Sequence, residues 1–271
     1  MSTAAWSSGT TWEKRIERAK SKAEDSPGAA ELLSFYRRIL EFQKAVYERL
    51  QSTSPAVIGD RRSLRESLDV QAAAASIPAL LEVVKRWAPA KLRELADGFG
   101  GRSPEQLHNA LRTASLVATA DGTPDDFFSR AALQPVAEWF ARNNKVENPT
   151  IAGNKCPSCE GEPQLAILRQ EGDGGKRWLQ CSFCLTEWEF QRILCPNCGE
   201  LDNAKLPRFT DKLNPAVRVE ACDSCQAYLK SFDLTLDGMI VPLVDDIETA
   251  PLDIWAVEKG YWKLQPNLLG F

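Results

Sequence analysis

All eight cysteines of the chain lie between residues 156 and 225, as four Cys-x-x-Cys pairs: Cys156 and Cys159, Cys181 and Cys184, Cys195 and Cys198, Cys222 and Cys225. The pairs are separated by 21, 10 and 23 residues. The short middle gap divides them into two quartets, each with a long internal loop. Two thiolates at i and i+3 on a tight turn grip one metal from the same side. A second such turn, reached through a hairpin of about twenty residues, completes a tetrahedron. The spacing therefore assigns Cys156, Cys159, Cys181 and Cys184 to one ion, and Cys195, Cys198, Cys222 and Cys225 to another. Four disulfides would need an oxidising compartment and an export route. One ion plus a redox-active Cys-x-x-Cys pair is a second alternative. The repeated spacing favours two four-thiolate sites over both.

The quartets also read as an internal repeat. "CPSCEGEP…KRWLQCSFCLTEWEF" aligns with "CPNCGELD…VRVEACDSCQAYLKSF", and the first cysteines are 39 residues apart. In both copies a proline follows the first cysteine and an alternating run leads into the second pair. A tandem duplication of a small metal-stapled hairpin explains both features.

With 271 residues, 44% apolar and 26% charged, the chain is of ordinary globular composition and long enough for two domains. No uninterrupted apolar run is long enough for a transmembrane helix. Residues Met1 to Arg15 lack the apolar core of a secretory signal, so cysteines best read as reduced place the protein in the cytoplasm. The net charge of −4 is uneven: 21 Lys and Arg stand against 19 Asp and Glu over residues 1–150, and 12 against 18 over the remainder. Each four-thiolate site with a divalent ion would add about −2. An anionic metal half argues against nucleic acid as a partner.

The first half has helical periodicity. Residues 1–10 are Ser/Thr-rich and expected to be disordered. A helix is expected over Thr11–Glu24. A longer one follows from Ser26 as cap, with Leu32, Phe35, Tyr36, Ile39, Leu40, Val46 and Leu50 on a broad apolar stripe. "STSPAVIGDRRS" reads as a loop, and shorter helices follow through Trp87 and Ala96. Ser103-Pro104-x-Gln106 is a capping box. Thr123-Pro124-Asp125-Asp126 starts a further helix, with Pro135 expected to kink it. The pattern gives about six helices, then a linker over Val146–Lys155. Trp178 and Trp188, flanking the second cysteine pair, are expected to cover the sulfurs and a small core. "EGDGGK" is a hairpin turn. "LKSFDLTLDGMIVPLV" suggests two strands turning at Asp237-Gly238. "DDIETAPLDIWAVEKGY" reads as one closing helix docked by Ile254, Trp255 and Val257, and the tail from Trp262 looks irregular.

Other chemistry is sparse. The single histidine, His108, falls within a helix pattern and reads as a surface residue. No Ser/His/Asp grouping, nucleotide loop or zinc-protease motif is present. Asp125-Asp126 and Asp245-Asp246 read as helix starts. By elimination the site chemistry is metal–thiolate chemistry.

The stretch from Cys156 to Tyr261 resembles the formate dehydrogenase accessory protein family, FdhE. The motifs that carry the resemblance are "CPSC", "LQCSFCLTEW", "CPNCG", "EACDSCQAYLK" and "VDDIETAPLDIWAVEKGY". The helical half resembles the family more weakly, mainly over residues 30–50. A glycine commonly follows the second cysteine of such knuckles. Only Gly199 supplies it here, with Glu160, Leu185 and Gln226 at the other three positions. The resemblance implies an α+β protein: a helical domain over 11–147, then two tandem rubredoxin-like (zinc-ribbon-like) four-cysteine modules with short β-hairpins, over 148–191 and 192–271. It implies a non-catalytic maturation factor that binds the catalytic subunit of formate dehydrogenase, with self-association left open and no nucleic acid or membrane insertion. It favours two iron ions of rubredoxin type, with zinc the alternative. A rubredoxin-like redox protein and a nucleic-acid-binding zinc ribbon are the competing functions.

The metal half is turn-rich and too small to hold its shape by apolar burial alone. Metal binding should supply on the order of 10 kcal/mol of its folding free energy per site. Cys198→Ser should therefore loosen the second repeat more than the helical half. Limited proteolysis should cut the variant first within the second repeat, not within residues 1–140.

Overall fold

The computed structural model describes residues 11–53, 64–117, 123–144, 153–171, 174–212 and 214–271. The Ser/Thr-rich start, the Pro55–Gly59 loop, most of the 146–155 linker and the tip of the "EGDGGK" turn lie outside these. Eight α-helices come first among the described residues: α1 (Trp12–Asp25), α2 (Ala30–Thr53), α3 (Leu64–Ser67), α4 (Val70–Ala74), α5 (Ile77–Trp87), α6 (Ala90–Gly100), α7 (Pro104–Leu116) and α8 (Pro124–Asn143). The count exceeds six because α3 and α4 are too short to show a helical period.

Local sequence explains most of the helix starts. The Thr11 hydroxyl accepts the Lys14 N–H, and that of Thr123 accepts the Asp126 N–H. Ser103 and Gln106 form a complete capping box, which satisfies two otherwise orphaned donors. Ser26 differs from expectation. It makes no side-chain cap, and a 3-10 turn at Pro27–Ala29 precedes α2. Its hydroxyl donates to Glu248 at 2.6 Å, a charge-assisted bond that sets its rotamer.

α8 is the helix on which the two halves meet. It runs through Pro135 as one element, and every described residue from Phe127 to Ala141 is buried. Such a helix needs apolar neighbours on all sides and a partner for every polar group. Phe127, Phe128, Leu133, Val136 and Phe140 supply apolar contact. Arg15 of α1 forks onto Glu138 at 2.8 and 2.9 Å. The Gln43 amide of α2 donates to the Ala131 carbonyl and Gln134.

The second half contains a seven-stranded sheet that joins both cysteine repeats. The first repeat gives β1 (Pro163–Glu171), β2 (Gly174–Cys181) and β3 (Glu187–Phe190); the second gives β4 (Arg208–Thr210), β5 (Val217–Ala221) and β6 (Ala227–Asp233). Each repeat is an antiparallel meander. They join where β1 runs parallel to β6, with Leu165 opposite Lys230 and Leu168 opposite Asp233, giving the order β3-β2-β1-β6-β5-β4. Strand alternation then divides the side chains. Ala166, Leu179, Trp188 and Leu229 join the core shared with the helices. Leu165, Ile167, Val217 and Phe232 form a second cluster.

The chain after β6 departs from expectation. No second strand follows Asp237-Gly238. Over residues 230–232, β6 is already paired on both edges, with β1 and β5, so a strand returning from this end finds no free edge. The Asp233 carboxylate instead accepts from the Thr235 N–H and hydroxyl and turns the chain out of the sheet. Two helices follow rather than one: α9 (Pro242–Glu248) and α10 (Ala250–Glu258). Pro251, without an N–H, suits a new first turn and not a continuing helix. The tail is not wholly irregular, because β7 (Trp262–Lys263) pairs parallel with the start of β6.

Ile254 and Val257 do not dock α10; both are exposed, and Ala250, Asp253 and Ala256 face inward. Trp255 is half-buried and meets Phe209 edge-on at 4.9 Å between centroids. A buried charge sets this orientation. Lys230 of β6, fully buried, reaches Asp246 of α9 at 2.9 Å and Asp253 of α10 at 2.6 Å. Lys263 of β7 reaches the same two carboxylates at 3.2 and 3.0 Å. The Gln164 and Asn267 amides donate to Asp246, and the Tyr228 hydroxyl to Asp253. Two cations against two anions give a neutral group with its hydrogen bonds filled, as buried charge requires. Asp245-Asp246 is thus more than a helix start. Asp246 closes this group, and Asp245 forks onto Arg18 of α1.

Burial opposes ionisation of Asp246, but the pull of Lys230 and Lys263 outweighs it and holds the carboxyl below its usual range. Its contribution is fully present above the ordinary carboxylate pKa of about 4 and is lost as pH falls through the lower folded value. Urea midpoints should therefore drop steeply below about pH 4. Asp246→Asn should flatten that acid limb while lowering stability at neutral pH. Lys230→Met, which leaves Lys263 alone against two buried carboxylates, should cost about 3–5 kcal/mol.

Candidate metal centres

The eight cysteines gather into the two groups that follow chain order. Within each group all four sulfurs lie within 4.8 Å of one another. In the first, Cys156 Sγ is 3.5 Å from Cys184 Sγ, and Cys159 Sγ is 3.4 Å from Cys181 Sγ. In the second, Cys195–Cys225 and Cys198–Cys222 are both 3.7 Å. A disulfide would bring sulfurs to about 2.05 Å. A tetrahedron with metal–sulfur bonds of about 2.3 Å has edges of about 3.8 Å. All eight cysteines are free, and their spacing fits the second geometry.

Three of the four Cys-x-x-Cys turns are built the same way, and the turn at Cys181 shares the first of their two bonds, from the Cys181 N–H to the Thr186 carbonyl. The Cys156 N–H donates to the Gly161 carbonyl, and the Glu160 N–H returns to the Cys156 carbonyl. Cys195 with Glu200, and Gly199 with Cys195, repeat the pattern, as do Cys222 with Ala227 and Gln226 with Cys222. The residue after the second cysteine is left-handed in all four turns: Glu160 (φ 59°), Leu185 (58°), Gly199 (78°) and Gln226 (59°). Three of them accept this without glycine, a conformation that costs an L-residue roughly 1–2 kcal/mol. The turn geometry is therefore imposed by what the sulfurs must reach.

The helical half closes over the first cluster. Its four cysteines are at most 1% exposed. Arg65 of α3 donates from Nε to the Cys159 carbonyl at 2.9 Å and from Nη1 to the Ser115 and Val117 carbonyls at 3.0 and 2.5 Å. Its Nη2 lies 4.0 Å from Cys159 Sγ, and its guanidinium stacks 4.3 Å above the Phe183 ring. Arg130 and Gln134 of α8 both donate to the Ser182 carbonyl. The Phe183 N–H donates to Cys181 Sγ at 3.3 Å. The Thr186 hydroxyl lies 3.1 Å from Cys184 Sγ and donates to Ser158.

The second cluster stands apart from the helices. Cys195 and Cys222 are buried, Cys225 is half-buried and Cys198 is exposed. The Asn197 N–H donates to Cys195 Sγ at 3.4 Å. Glu200 joins the two turns by accepting the Ser224 hydroxyl at 2.6 Å, the main reason its carboxyl is held at about 2. The Trp262 indole donates to the Cys225 carbonyl at 2.9 Å.

The protonation chemistry of both clusters favours a cation. In the first, burial and then the crowding of neighbouring sulfurs push the Cys156 and Cys184 thiols well above their usual value. Burial works against the Cys181 thiolate too. Hydrogen bonds from Cys156, Cys159 and Cys184 outweigh it and hold Cys181 well below. In the second, burial pushes Cys195 up to about 12. Without a cation such a group holds protons; a soft divalent ion displaces them and bonds the thiolates.

The remaining expected residues separate clearly. Trp188 is buried in the core that contains the first cluster, whereas half-buried Trp178 packs on the far side of the sheet. His108 is exposed on α7. Asp125 pairs with Arg102, and Asp126 with Arg130. Sequence reasoning missed Arg65, which lies 94 residues before Cys159 in no recognisable motif. Gly161 reads from the sequence only as easing the turn at Glu160, and the structure gives it a further reason. A Cβ there would lie 2.9 Å from Arg65 Nη2 and 3.2 Å from both Cys159 Sγ and Cys181 Sγ. The adjacent "CEG" gave a signal, because a glycine beside a knuckle marks close approach.

Residues 155–192 match the FdhE central domain, and residues 193–269 match the FdhE C-terminal domain. An FdhE homolog of Aquifex aeolicus is 27% identical over 266 residues, covering 92% of this chain and 91% of that protein. One from Pseudomonas aeruginosa is 39% identical over 190 residues, covering 64% and 62%. The crystal structure of the FdhE protein from Pseudomonas aeruginosa matches with a TM-score of 0.70 at 26% identity, covering 95% of each chain.

Two substitutions test the knuckle argument. Glu160→Gly should stabilise the folded chain by about 0.5–1 kcal/mol, since glycine relieves the left-handed strain at some entropic cost. Gly161→Ala should destabilise it by about 1–3 kcal/mol through crowding of Arg65 and two sulfurs. Both are read from urea unfolding of metal-loaded protein.

Proposed function

We propose that this chain, whose residues 155–269 are the central and C-terminal domains of the FdhE family, is a maturation factor for formate dehydrogenase. It binds that enzyme's catalytic subunit in the cytoplasm and is not itself an enzyme. The observation that carries this reading is the pair of tetracysteine clusters on a fold shared end to end with an FdhE protein. The domain division at 11–147, 148–191 and 192–271 belongs to the same proposal. Among the described residues no helix is long and apolar enough to cross a membrane.

In this reading Cys156, Cys159, Cys181 and Cys184 hold one ion, and Cys195, Cys198, Cys222 and Cys225 hold the other. Iron so bound would supply one-electron chemistry, whereas zinc would supply folding energy alone. Family resemblance favours iron; intrinsic thiolate affinity favours zinc over ferrous ion. The chain's own contribution is to place the sulfurs, donate N–H bonds to Cys181 and Cys195, and exclude water from the first site. A second reading, a rubredoxin-like electron carrier, draws on the exposure of Cys198. It needs iron in the second cluster.

The test has two parts. The protein, used as bait in a reducing, low-salt extract of formate-grown cells, should retain the catalytic subunit of formate dehydrogenase; failure to retain it would count against the accessory role. Anaerobically purified protein should carry two ions per chain. A colourless, zinc-loaded sample would remove the electron-carrier reading and leave the accessory one standing.

A further inference from the structure

We propose that the two clusters have different roles: the first is a locked ion that fastens the helical half to the sheet, and the second is the port where the chain exchanges its metal, with Cys198 the ligand that lets go first. The proposal rests on the four-thiolate reading of both clusters and not on the identity of any partner.

The structure gives the two sites the same turns but opposite surroundings. A ligand leaving the first cluster has no water to meet, since its cysteines are at most 1% exposed. To open it, Arg65, held in place by the Ser115 and Val117 carbonyls of its own half, must give up the Cys159 carbonyl and its stacking on Phe183. Arg130 and Gln134 must release Ser182. Those contacts tie α3 and α8 to the knuckles, so departure requires separating the halves locally. Exchange then proceeds at the rate of a local unfolding event.

At the second cluster, Cys198 already faces solvent and Cys225 is half-exposed. Its neighbours, Glu200, Ser224 and Trp262, staple the turns from the side and are not a lid. Exchange there is a ligand substitution without electron transfer. An incoming thiolate or chelator arm would form a bond to the ion as the Cys198 bond breaks, and the released Cys198 thiolate would be hydrated. Cys195 and Cys222, buried beneath, hold the ion during this step and release it last. The ligands that suit such a port are soft donors on a flexible arm, such as an exposed pair of cysteines on another protein.

The experiment uses the full chain loaded with two equivalents of zinc and a chromogenic chelator in excess. Release should occur in two phases of one equivalent each. Their rates should differ by at least about tenfold, as expected when one site must unfold locally first. Pulse alkylation read by mass spectrometry should modify Cys198 and then Cys225 during the fast phase, while Cys156, Cys159, Cys181 and Cys184 stay unlabelled. Arg65→Met should speed the slow phase and leave the fast one unchanged. Release in a single phase, or early labelling within Cys156–Cys184, overturns the proposal. If Arg65→Met fails to fold, the order of labelling in the unaltered chain still decides. A chain that takes up fewer than two zinc ions overturns the four-thiolate reading itself, and this inference with it.

Discussion

Four sulfurs held 3.4–3.7 Å apart from their neighbours are unstable company unless a cation or shared protons lie among them. The chain creates that situation twice, and much of its second half serves it. Left-handed turns at Glu160, Leu185, Gly199 and Gln226 aim the sulfurs inward at a conformational cost that apolar packing alone would not select.

The second organising force is buried charge. Lys230, Lys263, Asp246 and Asp253 bring together β6, β7, α9 and α10 in a group where each charge has an opposite within 3.2 Å. Burial pulls Lys230 below the usual lysine value even so, which measures how completely water is excluded. Such a group adds little net stability over apolar packing, but it tolerates only one arrangement of its elements. It turns α10 so that Asp253 faces in and Ile254 and Val257 face out. Arg18 on Asp245 and Lys22 on Glu248 extend the same logic to α1.

This is also where the sequence was hardest to read. The grouping of cysteines four and four was legible because i, i+3 spacing and the short gap from Cys184 to Cys195 are local features. The helix starts at Thr11, Ser103 and Thr123 were legible for the same reason, since a cap acts within one turn. Ser26 failed because its best acceptor, Glu248, is 222 residues away. α10 failed because its apolar residues suggested one face while Lys230 chose another. The strand expected after Asp237-Gly238 failed because a sheet offers a fixed number of edges, and occupancy of β6 by β1 and β5 is not visible in either strand. Arg65 failed most completely, since nothing near it in sequence speaks of sulfur.

A duplicated hairpin starts with two equivalent cysteine clusters, and the sheet preserves that equivalence: β1-β2-β3 and β4-β5-β6 lie in the same sense, head to tail. What breaks the symmetry is the helical half, which has one α8 and can cover only one copy. Once Arg65 and Arg130 sit on the first cluster, its sulfurs gain hydrogen-bonded cover and lose water, and any change there must pass through the joint between the halves. The second copy keeps the turns and stays uncovered at Cys198. In the proposed division of roles, covering one site and sparing the other separates two demands that a single cluster meets poorly, namely holding a fold together and remaining open to ligands from outside. The same arrangement makes the first cluster a joint of the molecule, because Arg65, Arg130 and Gln134, which seal it, also attach α3 and α8 to the second half.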